Sequence, residues 1–194
     1  MRQPVVLGIS GSVSRPSRTA ALVRHILERI EKRGAVQSHV IELADAAPVL
    51  FAELTPANLG GAAKAIVEAV EDADLLVAAT PVYRGAYTGA FKHLFDLVDH
   101  QAFVGKPVVL AATGGTHLHG LVTEHELRPL FGFLNALTLP TTIYAVEADF
   151  ANYRLVGANV RARVERVVSE ALDQLDLGTG LPSGAPVKRM VIGV

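Results

Sequence analysis

Short apolar runs alternate with amphipathic stretches along most of the chain. Five of the runs predict strands, which we place at Pro4–Ile9, Val36–Leu43, Leu75–Thr80, Pro107–Thr113 and Thr138–Ala145. Three of these runs lack the polar–apolar alternation of a half-exposed strand. Uninterrupted apolar runs are typical of parallel strands that helices cover on both faces.

The stretches between the runs carry apolar residues at the spacing of one helix face. They predict helices over about Thr19–Lys32, Ala57–Asp72, Thr88–Asp99, Gly120–Ala136 and Val156–Leu175. Gly34 is expected to form a left-handed cap after the first helix, and Thr88 is placed to cap the third. The alternation predicts a three-layer α/β/α domain, with a doubly wound parallel sheet of five strands in the flavodoxin-like order 2-1-3-4-5.

Composition adds expectations about assembly and location. We expect one domain over 1–176 and a Gly/Pro-rich C-terminal tail over 177–194. The first residues lack the apolar core of a signal peptide, and no run approaches the ~20 apolar residues of a membrane span. A cytoplasmic protein without membrane contact is therefore expected.

Half of the 194 residues are hydrophobic and only 19% are charged, so the composition is more apolar than that of a typical monomer. The helix Gly120–Ala136 is apolar nearly all round after Pro129, so we expect it to join a homodimer or homotetramer. On this view, Phe131→Asp would break the oligomer and leave the fold intact.

The net charge of −1 argues against nucleic-acid binding, and the absence of cysteine excludes thiolate chemistry.

The predicted topology locates a ligand. Sheets of this order bind beyond the carboxyl ends of their strands, near the switch between strands one and three. The loops at this edge are Ser10–Arg18, Thr80–Tyr87 and Thr113–His119. All three are unusual in composition, so they are the candidate binding loops.

The first loop combines small residues, hydroxyls and two arginines at a strand-to-helix turn. Helix-start amides attract anions, and hydroxyls and a guanidinium add donors for phosphate. The loop has neither G-x-x-x-x-G-K-[ST] nor G-x-G-x-x-G, so it does not match P-loop or dinucleotide sites. It predicts a site for a terminal monophosphate. The alternative is an ordinary polar turn in which Thr19 caps the helix.

The other two loops suit a flat, polar-edged ring. Val82 and Tyr83 can cover a ring face, and Gly85 and Gly89 permit close backbone approach. Thr113-Gly114-Gly115-Thr116 presents consecutive amides, which suit the oxygen-bearing edge of a flavin. Each loop could also be a purely structural turn.

Together these loops resemble those of the NAD(P)H-dependent FMN reductases, in detail the reductase components of two-component alkanesulfonate and methanesulfonate monooxygenase systems. The resemblance runs from about Val5 to Leu175. It implies hydride transfer from NADPH or NADH to FMN, and delivery of reduced FMN to a separate monooxygenase. It implies phosphate contacts from Ser10, Ser12, Ser17, Arg18, Thr19 and Ala20, ring contacts from Pro81, Val82, Tyr83 and Arg84, and pyrimidine-edge contacts from Gly114, Gly115 and Thr116.

No side-chain acid is expected in the hydride step, since positioning suffices. Arg84 could face the dinucleotide phosphates or the reduced ring.

Pro129 should kink or widen its helix. Some relatives carry tyrosine in a π-bulge at the position of His125, and histidine there looks like the methanesulfonate-type branch. The sequence leaves open whether the protein prefers NADPH or NADH. It also leaves open whether FMN is a tightly bound cofactor or an exchanging substrate.

The sequence is also compatible with other functions. A quinone, azo-dye or chromate reductase with bound FMN and a non-enzymatic flavodoxin-like carrier are the main alternatives. An NAD-binding protein with Glu42 on the ribose is disfavoured by the spacing. A metal site at His117 and His119 lacks helical register, and a serine hydrolase lacks its G-x-S-x-G turn.

Overall fold

The computed structural model describes residues 2–180, with side chains described as far as Leu175. The strands are β1 (Val5–Ser10), β2 (Gln37–Glu42), β3 (Leu75–Pro81), β4 (Pro107–Gly114), β5 (Leu137–Thr138), β6 (Ile143–Val146), β7 (Phe150–Ala151) and β8 (Arg154–Leu155). The helices are α1 (Arg18–Glu31), α2 (Leu43–Leu50), α3 (Gly61–Asp72), α4 (Gly89–Leu97), α5 (Arg128–Phe133) and α6 (Ala158–Gly180).

The main sheet is parallel and follows the order β2-β1-β3-β4-β5, with β6 also paired to β4. The predicted fold and strand order are confirmed. The fifth strand, however, is divided: β5 pairs with the start of β4, and β6 pairs with its end. Pro140 lies in the gap, where it has no amide to donate to a continuous ladder.

Two helical layers cover the sheet. One apolar cluster packs α1 and α6 against one face, and a second packs α2, α3, α4 and α5 against the other. Every residue of β3 is buried, as expected for the central strand of a covered sheet. No helix within residues 2–180 combines the length and apolarity needed to span a bilayer.

Helix α2 is absent from the sequence-based prediction. Leu43, Ala46, Ala47 and Leu50 form its buried stripe, but they directly follow β2 and enclose Pro48. The predicted helix Ala57–Asp72 also begins later, at Gly61, after a 3₁₀ turn at Pro56–Asn58.

Gly34 is not the left-handed cap that its position suggested, because the positive-φ glycines are others. A Cβ at Gly34 would lie 2.4 Å from Leu172 Cδ2. The missing side chain therefore makes room for α6 to pack beside the end of α1.

The predicted helix Gly120–Ala136 consists of a π-helical segment, Thr123–Leu127, followed by the short α5. Phe131 is fully buried, with its ring centroid 4.9 Å from Phe95 and 6.5 Å from Phe91. The expectation that Phe131→Asp would spare the fold is therefore wrong. The exposed aromatic ring of this segment belongs to Phe133, which is 82% exposed.

The C-terminal tail expected at 177–194 is outside the described residues from 181 onward. Its first four positions, 177–180, belong to α6, so the final helix extends beyond the predicted Leu175.

Candidate functional site

A cavity of about 300 Å³ opens at the carboxyl ends of β1, β3 and β4. Its walls come from all three predicted loops and from the segment after β6. Its lining residues are Ser12, Ser14, Pro16, Ser17, Arg18, Thr19, Pro81, Val82, Tyr83, Thr113, Gly114, Gly115, Glu147 and Tyr153. Nine of the thirteen residues implied by the resemblance therefore meet at one place.

The first loop ends in a capped helix start. Ser17 is the N-cap of α1, and its hydroxyl accepts a hydrogen bond from the Ala20 amide at 3.2 Å. The Ser17 carbonyl accepts from the Ala21 amide at 3.1 Å. The amides of Arg18 and Thr19 are left without an intrahelical acceptor, and both residues line the cavity. Ser17, not Thr19, is thus the capping residue.

Hydroxyl groups surround this helix start. Ser12 Oγ donates to the Ser14 carbonyl at 3.2 Å, which folds the loop back on itself. Thr19 Oγ1 lies 2.6 Å from Thr113 Oγ1 in a buried hydrogen bond that joins α1 to β4. The helix start is therefore held at a fixed position against the sheet.

Gly11 fixes the same loop against β3. Its amide donates to the Ala79 carbonyl at 2.7 Å, and its carbonyl accepts from Thr88 Oγ1 at 2.7 Å. Thr88 Oγ1 also accepts from the Phe91 amide at 3.1 Å, which confirms its predicted role as the cap of α4. A Cβ at Gly11 would lie 2.8 Å from the Phe91 ring, so the contact requires glycine.

The second loop is a tight hairpin turn. Tyr83 and Ala86 exchange both backbone hydrogen bonds, and Arg84 (φ 55°) and Gly85 (φ 87°) occupy its centre. Positive φ at both central residues is the mark of a type I′ turn. The turn holds the Tyr83 ring at the cavity mouth, 46% exposed. Arg84 lies at the exposed tip, off the cavity wall.

The third loop is held by Tyr144, whose hydroxyl donates to the Thr116 carbonyl at 2.7 Å. Burial raises the pKa of Tyr144, so the hydroxyl keeps its proton at neutral pH. A Cβ at Gly114 would lie 2.0 Å from this hydroxyl, so glycine is required there. Gly114 and Gly115 line the cavity, and Thr116 lies beyond it.

Three other predicted residues fit the cavity less directly. Ser10, Ala20 and Arg84 do not line this cavity, and Ala20 instead lines a neighbouring one. Ser10 Oγ is buried and has no hydrogen-bond partner among the described residues. Buried hydroxyls are nearly always paired, so the edge beside β1 has an unfilled hydrogen-bonding position.

Sequence reasoning missed the contribution of Glu147 and Tyr153. Glu147 Oε1 lies 2.8 Å from Arg18 Nη1, so this carboxylate already holds the arginine. Tyr153 (φ 59°) follows Asn152 (φ 48°) in the turn between β7 and β8. Asn tolerates positive φ, so Asn152 was the available signal for a turn at this point. Ser14, Pro16 and Thr113 also line the cavity without having been assigned to it.

The donors suit a phosphate monoester, and the flanks suit a planar ring. Two free helix amides, three serine hydroxyls and one guanidinium face a common space, while Val82 and Tyr83 provide apolar surface beside it. Within the residues whose side chains are described, no three His, Asp or Glu groups cluster as metal ligands do. The arrangement can therefore bind a phosphorylated ring system through backbone and hydroxyl donors.

Comparisons with known proteins agree with this chemistry. Residues 4–151 match the family model described as NADPH-dependent FMN reductase. An "NADH-dependent FMN reductase SfnF" of Pseudomonas fluorescens (strain Pf0-1) is 46% identical over 88% of this chain and 92% of the relative. An "FMN reductase (NADPH)" of Pseudomonas aeruginosa is 46% identical over 86% and 89%. The solved structure of an oxidoreductase from Corynebacterium diphtheriae has a TM-score of 0.81 and 31% identity, covering 90% of this chain and 98% of that chain.

Proposed function

We propose, from the premise that this chain belongs to the NADPH-dependent FMN reductase family, that it transfers hydride from a reduced nicotinamide to FMN at the cavity above the sheet. The single observation that carries the proposal is the start of α1. There, two free amides, the loop hydroxyls and Arg18 converge on one small space. That donor set is right for the one phosphate of a mononucleotide.

The residues beyond the phosphate position orient the ring. Pro81, Val82 and Tyr83 would cover the isoalloxazine, and the amides around Gly114 and Gly115 would face its pyrimidine edge. FMN, when bound, supplies the hydride acceptor. Amide dipoles fixed at the ring edge would stabilise negative charge there. Catalysis would rest on proximity, without a side-chain acid.

Delivery of the reduced flavin to a partner monooxygenase, in the cytoplasm where NAD(P)H is available, is part of the same proposal. So is a homo-oligomer formed through the segment 120–136. Leu121 (62% exposed) and Phe133 (82% exposed) support this interface, because apolar side chains so exposed favour a partner surface.

Steady-state kinetics test the proposed activity. Purified protein with FMN should oxidise NADH or NADPH, and an anaerobic reaction should bleach the visible absorbance of free FMN in excess over enzyme. A quinone, azo-dye or chromate reductase would instead turn over with those acceptors and a bound flavin, and a flavin carrier would oxidise no nicotinamide. Absence of nicotinamide oxidation with any FMN concentration would refute the proposal.

Arg18→Ala is expected to weaken FMN binding by about 1.5 kcal/mol, roughly tenfold in Kd. The loss is at the low end for a charged contact because Arg18 is 38% exposed and shared with Glu147. The amide at position 18 remains, so binding should not vanish. Fluorescence titration with FMN and with riboflavin measures it. Riboflavin has no phosphate and should bind both proteins equally, and an unchanged FMN affinity would remove Arg18 from the site.

Glu147→Gln is expected to strengthen FMN binding several-fold, about 0.5–1 kcal/mol. The Glu147 carboxylate competes with the flavin phosphate for Arg18, and its negative charge lies on the same cavity wall. Stopped-flow release of FMN should slow in parallel. Riboflavin serves again as the comparison ligand, and a Glu147→Gln variant that released FMN at the wild-type rate would contradict the prediction.

A further inference from the structure

A second cavity, of about 930 Å³, lies on the other side of the first loop. It is bounded by α1, by the β7–β8 hairpin and by the first turn of α6. It shares Pro16, Ser17 and Tyr153 with the smaller cavity, so the two are neighbours across one loop. Nothing in the proposed hydride transfer uses it.

The charge on its walls is unbalanced. Four arginines line it against two glutamates: Arg15, Arg24, Arg154, Arg161, Glu28 and Glu42. Glu42 is buried and neutralised by both Arg15, at 2.9 Å, and Arg24. Arg154 and Arg161, by contrast, form no ion pair with any carboxylate in the part of the chain whose side chains are described.

Arg161 also lies at the N-terminal end of α6, where its positive charge opposes the helix dipole. It follows the start of α6 at Ala158 by three residues, and that first turn contains no acidic residue. A cation at the positive end of a helix is unfavourable, whereas an anion there is stabilised. His25 lines the same cavity on the α1 side. Its pKa is lowered first by burial and further by the charges of Arg161 and Arg29, against the opposing effect of Glu28 and Glu165.

We propose that this cavity binds an adenosine phosphate group of the nicotinamide cosubstrate, with Arg154 and Arg161 as its ligands. The inference rests on the proposed function, in which FMN and a dinucleotide are bound together. The smaller cavity already provides for the FMN phosphate, so a second anion-binding cavity next to it suits the second nucleotide. Its volume lies within the range of small-molecule sites.

The phosphate could be the 2′-phosphate of NADPH or the 5′-pyrophosphate that NADH shares with it. Fragments distinguish these sources. Isothermal titration with 2′,5′-ADP and with ADP, on protein saturated with FMN, should detect binding of at least one fragment. Preference for 2′,5′-ADP assigns the 2′-phosphate, preference for ADP assigns the pyrophosphate, and equal binding assigns the 5′-phosphate that both fragments carry.

Arg154→Ala and Arg161→Ala should each weaken the bound fragment roughly tenfold, the loss of one charge-assisted contact. Arg166→Ala is the matched control, since Arg166 is exposed on the same helix and outside the cavity. FMN affinity should be unchanged in all three variants. Binding of neither fragment by the wild type, or wild-type fragment affinity in both cavity variants, would overturn the inference.

Kinetics separate this failure from failure of the proposed function. If the wild type turns over FMN and both cavity variants keep its KM for NADH and NADPH, the cavity inference fails and the reductase stands. If the wild type shows no turnover at all, the reductase fails, and the fragment titrations decide the cavity by themselves.

Discussion

Phe131→Asp is expected to leave little folded protein at room temperature. Phe131 is fully buried between Phe91 and Phe95, so the substitution removes a core ring and places a carboxylate in its position. Loss of a buried phenylalanine alone costs about 3–5 kcal/mol, and burial of an unpaired charge adds several more. A domain of this kind has only about 5–15 kcal/mol to lose. Urea unfolding followed by circular dichroism measures the effect.

Phe133→Asp is the matched control, two residues away on the same short helix. Phe133 is 82% exposed in the protomer, so the aspartate leaves the core intact and the protein should still fold and unfold cooperatively. Because the proposed interface includes Phe133, light scattering should show smaller assemblies for Phe133→Asp. A cooperatively folded Phe131→Asp protein with the wild-type midpoint would contradict the packing described for this segment.

Gly11→Val is expected to disable the binding loop. The smallest side chain at this position would already lie 2.8 Å from the Phe91 ring and 3.1 Å from the Ala79 carbonyl, and that carbonyl belongs to β3 and cannot retreat. The loop must therefore leave the strand. Overpacking of this kind costs about 1–3 kcal/mol, and we expect FMN affinity to fall at least roughly tenfold because the start of α1 moves with the loop.

Parallel FMN titration and thermal unfolding check this prediction. Gly132→Ala is the control, because a Cβ at Gly132 meets nothing within 4 Å. That variant should keep both the FMN affinity and the stability of the wild type. Retention of full FMN affinity by Gly11→Val would show that the loop does not need its contact with β3.

The parts that follow from periodicity were predictable. β3 and β4 are uninterrupted apolar strands, and a buried strand between helices leaves this signal in any single sequence. The strand order follows from the handedness of the crossovers, and it places the loops after β1, β3 and β4 at one edge. Nine of the residues expected to bind FMN line the cavity there for that reason.

The parts that depend on distant partners were not predictable. The apolar pattern of Phe131 looks the same whether its partner is Phe95 of the same chain or another subunit. Glu147 reaches Arg18 only because β6 and β1 end at the same edge of the sheet, although more than a hundred residues separate them in sequence. Gly34 and Gly114 are determined by Leu172 and Tyr144, which no local rule connects to them.

A crystal structure of the protein soaked in FMN tests the central claim most directly. We predict density for the phosphate within hydrogen-bonding distance of the Arg18 and Thr19 amides, and for the ring beside Val82, Tyr83 and Gly115. An empty cavity at saturating FMN, or a flavin bound elsewhere on the molecule, would contradict the account.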